Sequence, residues 1–439
     1  MTAVPWTLRA LRRALANGTT SPSELAEAAL ARSNGNASRN TYLWQDAAWT
    51  RAEAARAEAM PLSSGGPFGD GRPALWGLPI SVKDCFDLAG SPTTCGVRFY
   101  RDLNGTATRD SWLVEQLRAA GAVIVGKTHL HPLAYGITGE NPEFGDCVQP
   151  RDSGALTGGS SSGAIASVQE GSAVAAIGTD TGGSVRAPAS LGGLAGYRST
   201  IGRGDWRGGA HLAVSFDTMG WLFRDLEDAP LLSFPFAPIE NQKMEFASFA
   251  FLGDKFFHDC EPEVMEGFRR VIGELQALGL RAEPIDPDWW KDSIEIFAPL
   301  QASEAALLHA DHFDRCEPAI CDRLRWGASL TSGEVADLRQ RHADFRARMD
   351  ELFAVHQLIL LPCAPVARLA AGADHTQTRS RLLRYTSPFS LAGVPAVAIP
   401  CAHVGMQLAA ARGFDEPLLA LAAQIGAQRT AAERANAMI

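Results

Sequence analysis

The sequence lacks any apolar run that approaches the roughly 18 residues needed to span a bilayer. It also lacks a secretion signal: residues 6–16 (WTLRALRRALA) alternate arginines with apolar residues and have no uninterrupted apolar core. Both absences lead us to expect a cytoplasmic protein without a membrane segment.

An excess of basic charge is missing as well. The chain has 40 Lys and Arg against 49 Asp and Glu, a net charge of −9, so it carries no overall electrostatic footprint for nucleic acid, and we expect none as a partner.

The eight cysteines are scattered along 439 residues, which predicts reduced thiols and no disulfide framework. Cys316 and Cys321 are close in sequence, but no second pair completes a zinc site.

Strand and helix patterns alternate along the chain. Residues 78–83 (LPISVK) alternate apolar and polar side chains as a β-strand does, with Lys83 near the strand's end. A helical pattern at 111–120 precedes a β-branched run at 122–125, and helix followed by strand recurs at 263–285. This alternation predicts an α/β fold around a parallel or mixed sheet.

We find no internal repeat, and we expect one domain spanning residues 1–439. Ser21-Pro22-Ser23-Glu24 has the pattern of a helix start, because Ser21 can cap the helix and Glu24 can close a capping box. Residues 61–73 are rich in turn formers and predict a surface loop. Residues 230–385 are mostly helical in pattern, which fits a cap or an insertion.

Three other motifs do not fit their usual functions. Residues 121–128 (GAVIVGKT) match the P-loop expression, but their middle is a strand sequence and a helix precedes it. Residues 159–163 (GSSSG) match the nucleophile elbow, yet no hydrophobic strand comes directly before them. His129 and His131 have no third metal ligand at a suitable spacing, which favours a structural or incidental role.

Two glycine- and serine-rich motifs and one lysine form the most informative pattern. Ser160 in GGSSSG (158–163) lies 24 residues before Ser184 in GTDTGGSVR (178–186). Apolar residues between the motifs argue against a flexible linker. Together with Lys83 in LPISVKD, these motifs resemble the amidase signature family, from about Gly77 to Arg203. The resemblance includes the turn ENPEFG at residues 140–145. It fades through residues 230–385 and resumes at SPFSLAGVPAVAIP, residues 387–400.

The resemblance implies a central mixed β-sheet surrounded by α-helices, with a catalytic core at about 75–230 and 385–425. It implies a hydrolase that cleaves carbon–nitrogen bonds through an acyl-enzyme, without a metal or cofactor. Ser184 would be the nucleophile, Ser160 the bridging serine after a cis peptide bond from Gly159, and Lys83 the base.

The resemblance also assigns supporting residues around the triad. The developing oxyanion would be bound by the backbone amides of Thr181, Gly182, Gly183 and Ser184. The pocket wall beside the scissile bond would include Ala134, Tyr135 and Gly136, although Tyr135 is equally compatible with ordinary core. The loop would be braced by Ser161, Asp180 and Arg186.

These residue types suit amide chemistry. A serine hydroxyl is a poor nucleophile until a nearby base accepts its proton. Lysine ordinarily titrates near pH 10.4, so Lys83 must be neutral to act as that base, and burial can lower its pKa by several units. A relayed proton must then reach the leaving nitrogen, because an amide anion is a very poor leaving group.

Some positions depart from the family pattern and leave the substrate open. Residues 149–152 read QPRD, where family members often carry NPWD. Residues 401–408 form a shorter connection than the hairpin that is usual in the family. Ala187 offers no charge for a substrate carboxylate. Small aliphatic or aryl amides, carbamates, urea-like compounds and esters all remain candidates. The alternatives are the glutamine-hydrolysing component of a tRNA-dependent amidotransferase and a non-catalytic binding protein. We expect a monomer or homodimer that acts on a small molecule.

Overall fold

The computed structural model describes residues 4–61, 70–235 and 246–436. Thirteen α-helices occur in this part of the chain, and short 3₁₀ turns connect some of them. They are α1 Leu8–Ala16, α2 Pro22–Gly35, α3 Ala47–Glu58, α4 Arg98–Asn104, α5 Trp112–Ala119, α6 Ser162–Glu170, α7 Arg186–Leu191, α8 Pro262–Ala277, α9 Ser293–Leu308, α10 Pro318–Ser329, α11 Ser332–Val355, α12 Thr378–Ala392 and α13 Asp415–Asn436.

Thirteen β-strands alternate with these helices in the described residues. They are β1 Tyr42–Trp44, β2 Pro79–Lys83, β3 Val123–Thr128, β4 Val148–Gln149, β5 Asp152–Leu156, β6 Ala175–Asp180, β7 Ala195–Arg198, β8 Thr218–Phe223, β9 Ser248–Leu252, β10 Arg281–Ile285, β11 Leu358–Pro362, β12 Ala396–Cys401 and β13 Val404–Ala410.

Eleven strands form one mixed sheet in the order β1-β3-β2-β6-β8-β7-β12-β13-β11-β9-β10, and β4 pairs with β5 separately. Strands β3, β2 and β6 are parallel neighbours, as are β11, β9 and β10. The remaining pairs are antiparallel. Every residue of β2, β3 and β6 is buried, because helices cover both faces of a parallel sheet.

The fold predicted from the sequence is confirmed: a large mixed sheet is surrounded by helices. Strand β2 occupies the predicted segment at 78–83, and α5 followed by β3 occupies 111–128. Helix α2 begins with the predicted capping box, in which the Ser21 side chain accepts from the Glu24 N–H at 3.1 Å. Most of the loop predicted at 61–73 lies outside the described residues.

The region from 230 to 385 contributes strands as well as helices. Its described part supplies β9, β10 and β11, which complete one side of the sheet. The short apolar runs of β9 and β11 had no alternation to distinguish them from buried helix, whereas α8 and β10 match the helix and strand predicted at 263–285.

The order of the strands brings residues of the predicted triad to the carboxyl ends of two interior strands. Parallel neighbours β2 and β6 end side by side, at Lys83 and Asp180. Helix α6 begins just after Ser160, helix α7 begins just after Ser184, and α12 packs against α7. No helix in the described part of the chain is long and apolar enough to cross a membrane.

Candidate active site

Lys83, the last residue of β2, places its amino group among three hydroxyls. Its Nζ lies 2.7 Å from Ser160 Oγ, 2.7 Å from Thr179 Oγ1 and 3.1 Å from Ser161 Oγ, and Lys83 is 0% exposed. Burial lowers the pKa of Lys83 to about 8, because desolvation of the ammonium outweighs the nearby negative charges. A substantial share of this lysine is therefore neutral at mildly alkaline pH.

The neighbouring hydroxyls differ in where their protons can go. Ser161 Oγ donates to the carbonyl oxygen of Thr179 at 3.2 Å and accepts from the Thr179 N–H at 3.3 Å. Its proton is therefore directed away from Lys83, and it meets the amino group as an acceptor. Ser160 Oγ contacts Lys83 Nζ directly and can pass its proton to the neutral amine.

Ser160 is held by its backbone in a short loop before α6. The Gly159–Ser160 peptide bond is cis, as the resemblance implied. The Gly159 N–H donates to the carbonyl of Ile137 at 2.8 Å, and the carbonyl of Ser160 accepts from the His131 N–H at 3.1 Å. These bonds fix Ser160 between the segment after β3 and the start of α6.

Ser184 lies on the loop between β6 and α7 and is 4% exposed. Its carbonyl oxygen accepts from the Ser161 N–H at 3.3 Å, which joins this loop directly to the one that carries Ser160. The two motifs, 24 residues apart in sequence, therefore meet at the end of β6.

The Asp180 carboxylate forms the centre of the Ser184 loop. It accepts from Arg186 Nη2 at 2.9 Å, from Arg186 Nε at 3.0 Å and from Arg198 Nη1 at 2.7 Å, and all three side chains are 0% exposed. It also accepts from the N–H groups of Gly183 at 2.8 Å and Val185 at 3.2 Å. Burial alone would raise the pKa of Asp180, but the two guanidinium groups hold this pKa far below its usual range.

Arg186 connects this loop to the second half of the chain. Its Nη1 donates to Gln407 Oε1 at 2.7 Å and to the Thr386 carbonyl at 3.0 Å, and its Nη2 donates to Ser390 Oγ at 2.9 Å. Gln407 belongs to β13, and the other two belong to α12. Bracing by Asp180 and Arg186 remains a prediction, but the contacts show what the pair connects.

Glycine is required at two positions of the loop. Gly183 has φ +120°, and a Cβ there would lie 2.7 Å from the side chain of Thr386. A Cβ at Gly182 would lie 2.7 Å from Phe297 Cζ and 3.0 Å from Leu383 Cδ2. The loop therefore packs tightly against α9 and α12, with no room for side chains at 182 and 183.

The predicted oxyanion donors differ in how their hydrogens are used. The Gly183 N–H already donates to Asp180 Oδ1, so its hydrogen points into the loop. The Thr181 hydroxyl donates to Asp217 Oδ1 at 2.6 Å, which fixes the backbone just before Gly182. The amides of Thr181, Gly182 and Ser184 are therefore the better candidates for a developing oxyanion.

A second buried ion pair supports β2, and its role was missed in the sequence. Lys127 Nζ lies 2.6 Å from Asp84 Oδ1, with both side chains 0% exposed, and it donates to Thr93 Oγ1 at 2.7 Å. Thr94 Oγ1 donates to the other oxygen of Asp84 at 2.5 Å. Lys127 belongs to the segment that matches a P-loop expression, but it joins β3 to the turn after Lys83.

The two histidines after β3 have different surroundings. His129 Nε2 donates to the Gly145 carbonyl at 2.9 Å, and Nδ1 accepts from Ser162 Oγ at 2.7 Å, so this ring is a structural link. His131 is 6% exposed and lines a cavity. In the described part of the chain, no group of three or more His, Cys, Asp or Glu side chains is placed to hold a metal ion.

The predicted pocket residues at 134–136 lie on different sides of one turn. Gly136 lines a cavity of about 570 Å³ next to the Ser160 loop, whereas Ala134 lines a separate small cavity beside Cys85. Tyr135 is buried, and its carbonyl accepts from Arg323 Nη1. Of the three, Gly136 is the one that this larger cavity reaches, and contact with substrate remains a prediction for all of them.

Comparison with known proteins identifies the family. The family model described as Amidase matches residues 24–419. The chain is 31% identical over 450 residues to an indoleacetamide hydrolase of Pseudomonas savastanoi, with 94% of each chain covered. It is also 31% identical over 426 residues to a glutamyl-tRNA(Gln) amidotransferase subunit of Nitratidesulfovibrio vulgaris (strain DP4), covering 84% of this chain and 86% of the relative.

The fold has solved counterparts. A crystal structure of an amidase superposes with a TM-score of 0.84 at 29% identity, covering 96% of this chain and 99% of the other. The family match spans most of the chain, including all three residues of the predicted triad. The chain therefore belongs to the amidase signature family of hydrolases that act on carbon–nitrogen bonds.

Proposed function

We propose that this protein hydrolyses the carbon–nitrogen bond of a small amide through an acyl-enzyme on Ser184, with Ser160 and Lys83 as the proton relay. The observation that carries the proposal is the fully buried Lys83 amino group, 2.7 Å from Ser160 Oγ, with its pKa lowered to about 8. A buried lysine with a lowered pKa is suited to general base catalysis.

In the proposed reaction, Ser184 Oγ attacks the carbonyl carbon of the amide. Its proton passes to Ser160, whose own proton passes to Lys83. When the carbon–nitrogen bond breaks, the relay runs in reverse and protonates the leaving nitrogen. A water molecule, deprotonated by the same route, then cleaves the ester to Ser184 and releases the acid.

Charge on the substrate oxygen would be stabilised by backbone amides of Thr181, Gly182 and Ser184. One such donor contributes about 2.7–4 kcal/mol to the transition state. The packing of Gly182 and Gly183 against α9 and α12 holds these amides in place before substrate binds. The same triad is expected to cleave esters, and aryl amides, carbamates and urea-like compounds remain substrate candidates.

The first experiment is labelling with phenylmethylsulfonyl fluoride, followed by intact-protein mass spectrometry. We expect a single adduct on the wild-type protein and none on Ser184→Ala. Ser329→Ala is a matched control, because Ser329 is exposed and its hydroxyl only bonds the Trp326 carbonyl. An adduct that persists in Ser184→Ala would place the nucleophile elsewhere. Failure of every serine-directed reagent on folded protein would instead favour the binding-protein alternative.

A second candidate is glutamine hydrolysis as part of a tRNA-dependent amidotransferase. It is favoured by the 31% identity to a relative named as one component of such an enzyme. Glutamine hydrolysis that requires tRNA and partner proteins would support it. Ammonia release from simple amides by the purified chain alone would support the independent amidase.

We also propose that residues 1–439 form one domain and that the protein is a monomer or homodimer in the cytoplasm. It acts on a small molecule and binds no nucleic acid. One sheet includes strands from the predicted core regions and from 230–385, which supports a single unit. Limited proteolysis that released a stable fragment from 230–385 would contradict it.

A further inference from the structure

A cavity of about 570 Å³ borders the Ser160 loop, and no step of the proposed reaction involves it. Its inner wall includes His131, Gly136 and Ile137. The His131 N–H donates to the Ser160 carbonyl at 3.1 Å, and the Ile137 carbonyl accepts from the Gly159 N–H at 2.8 Å. The cavity is therefore separated from the cis-peptide loop by a single layer of backbone.

Two arginines on this wall have no ion-pair partner among the described residues. Arg379 Nη2 donates to Gln301 Oε1 at 2.9 Å, and its guanidinium lies 5.7 Å from the ring centre of Tyr135. The Arg323 guanidinium lies 5.3 Å from the same ring. Burial and the neighbouring Arg323 together lower the pKa of Arg379 to about 10. Two like charges thus converge on one side of the cavity.

The carboxylates that line the cavity do not neutralise Arg379. They are Glu140, Asp146, Glu317, Asp322 and Asp374. Asp322 and Asp374 are exposed, and Asp146 accepts from a backbone N–H. Glu317 and Glu140 act on Arg323, and Glu140 accepts from Thr138 Oγ1 at 2.6 Å. Of the two groups that act on Arg379, Arg323 is a cation and Tyr135 is a neutral phenol whose pKa is raised by burial, so Arg379 remains a cation without a counter-ion among the described residues.

His131 adds a polar group to the same wall. Neither ring nitrogen has a hydrogen-bond partner among the described residues, although the residue is only 6% exposed. A Cβ at position 136 would lie 2.0 Å from Nε2, so Gly136 leaves the space that the ring occupies. Burial and the nearby cations keep the pKa of His131 well below its ordinary value, and a neutral ring retains one N–H donor. Buried polar groups without partners are rare unless a ligand or water binds them.

The helices place these groups close to the reacting loop. Arg379 precedes Leu383 by one turn of α12, and Gln301 follows Phe297 by one turn of α9. Leu383 and Phe297 are the side chains that pack against Gly182. One helical turn is about 5.4 Å, so Arg379 and Gln301 are each about one turn along their helix from a residue that packs against Gly182. Arg379 is also in the first turn of α12, where the helix dipole disfavours a cation and favours a bound anion.

We propose that this cavity binds a carboxylate of the substrate, held by Arg379 together with Arg323 and the His131 N–H. The substrates would then be amides that also carry a carboxylate a few bonds from the scissile bond. Arginine suits this role, since its planar donors match a carboxylate with two parallel hydrogen bonds. The inference rests on the proposed function and specifies its substrate class.

The test measures how well small carboxylates protect Ser184 from phenylmethylsulfonyl fluoride at constant ionic strength. The probes are succinate, glutarate, benzoate and phenylacetate, each compared with its neutral amide. We expect at least one carboxylate to protect at a concentration 10-fold or more below that of its amide. For Arg379→Gln, protection is normalised to the variant's own labelling rate without a probe. The preference for carboxylate over amide should fall by about 10- to 100-fold, because the variant loses one charged hydrogen-bonding pair.

Arg381→Gln is the matched control, because it removes the same charge from α12 but from a residue that pairs with Asp259 outside the cavity. It should keep the wild-type preference. Equal protection by carboxylates and amides, or an Arg379→Gln protein with an unchanged preference, would overturn the inference and leave the proposed function standing.

Absence of any adduct on Ser184 would count against the proposed function instead. In that case, titration calorimetry of the same probes against wild type and Arg379→Gln tests the carboxylate site without the nucleophile. Carboxylate binding that Arg379→Gln weakens 10-fold or more supports the site, and binding that it leaves unchanged overturns it.

Discussion

At the scale of the residue, the proposed reaction depends on one buried amino group. Lys83 has three hydroxyl neighbours and a pKa of about 8, whereas an exposed lysine titrates near 10.4. Ser161 directs its proton to the Thr179 carbonyl, so Ser160 and Thr179 are the hydroxyls placed to exchange a proton with Lys83. Of these two, Ser160 belongs to the loop that is joined to the loop of Ser184. This division of the hydroxyls leads to two predictions.

Lys83→Ala should reduce amide hydrolysis more severely than ester hydrolysis. The relay both activates Ser184 and protonates the leaving group, and only the amide nitrogen depends strongly on the second step. We expect a loss of about 10²–10⁴-fold for amides, the usual contribution of a positioned acid or base. The measurement is kcat/KM on an amide and an ester with the same acyl group. Equal losses on the matched pair would contradict the relay.

The pH dependence of kcat/KM for an amide should show a rising limb with a midpoint near 8. Only the neutral form of Lys83 accepts a proton, so activity is lost as the pH falls through the lowered pKa. His129, with a pKa lowered to about 4 by burial, stays neutral across this range. A midpoint between 6 and 7, or a flat profile from 6 to 9, would exclude Lys83 as the titrating base.

At the scale of the element, one carboxylate links β6, α7, α12 and β13. Asp180 binds Arg186 and Arg198 with no solvent access, and Arg186 reaches Gln407 and Ser390. Breaking such a buried network from one side leaves charges without a partner, which costs far more than losing a surface pair.

Asp180→Asn should therefore destabilise the protein by about 3–5 kcal/mol, because it leaves two buried guanidinium groups without a carboxylate. Asp152→Asn is the matched control: Asp152 pairs with Arg368 at 2.8 Å, but both side chains are 48% exposed, and such pairs contribute about 0–1 kcal/mol. The measurement is the free energy of unfolding in urea. Similar losses for both variants would show that Asp180 does not brace the loop.

Gly183→Ala should reduce the labelling of Ser184 by about 10²-fold or more, because the new Cβ would meet Thr386 and move the proposed oxyanion amides. Gly273→Ala on α8 is the control, since a Cβ there meets no atom within 4 Å. The measurement is the rate of sulfonyl fluoride labelling by intact mass. A Gly183→Ala protein that labels as fast as wild type would show that the loop tolerates a side chain.

At the scale of the whole molecule, the proposed site is assembled from both halves of a single sheet and its covering helices. Lys83 and Ser184 come from the first half, and the side chains that pack against Gly182 and Gly183 come from α9 and α12. All of these groups belong to this chain, so we expect it to work without a partner protein.

The purified chain alone should release ammonia from a simple amide at a rate that added tRNA does not change. The reason is that Lys83 contacts Ser160, and the loop of Ser160 is joined to the loop of Ser184, within one chain. The measurement is ammonia release with and without tRNA, using Ser184→Ala as the blank. Activity that appears only with tRNA and partner proteins would support the amidotransferase alternative.

The residues of the proposed triad could be named from the sequence because short motifs carry them. Lys83 ends an alternating strand, and the two Gly-Ser motifs surround Ser160 and Ser184 at a spacing that matches the family. The α/β fold was also predictable, since apolar periodicity is a local property of the chain. By itself, the sequence thus determined the family and the type of fold, and it named the residues of the proposed triad.

Other features were decided only by the tertiary structure. Thr179 beside Lys83, Arg198 beside Asp180 and the Lys127–Asp84 pair depend on which strands become neighbours. Arg323 and Arg379 belong to no shared motif, because they come from helices that are far apart in sequence. The physical reason is that burial and partner distance set the pKa and the interaction strength of a charged group, and neither exists before the chain has folded.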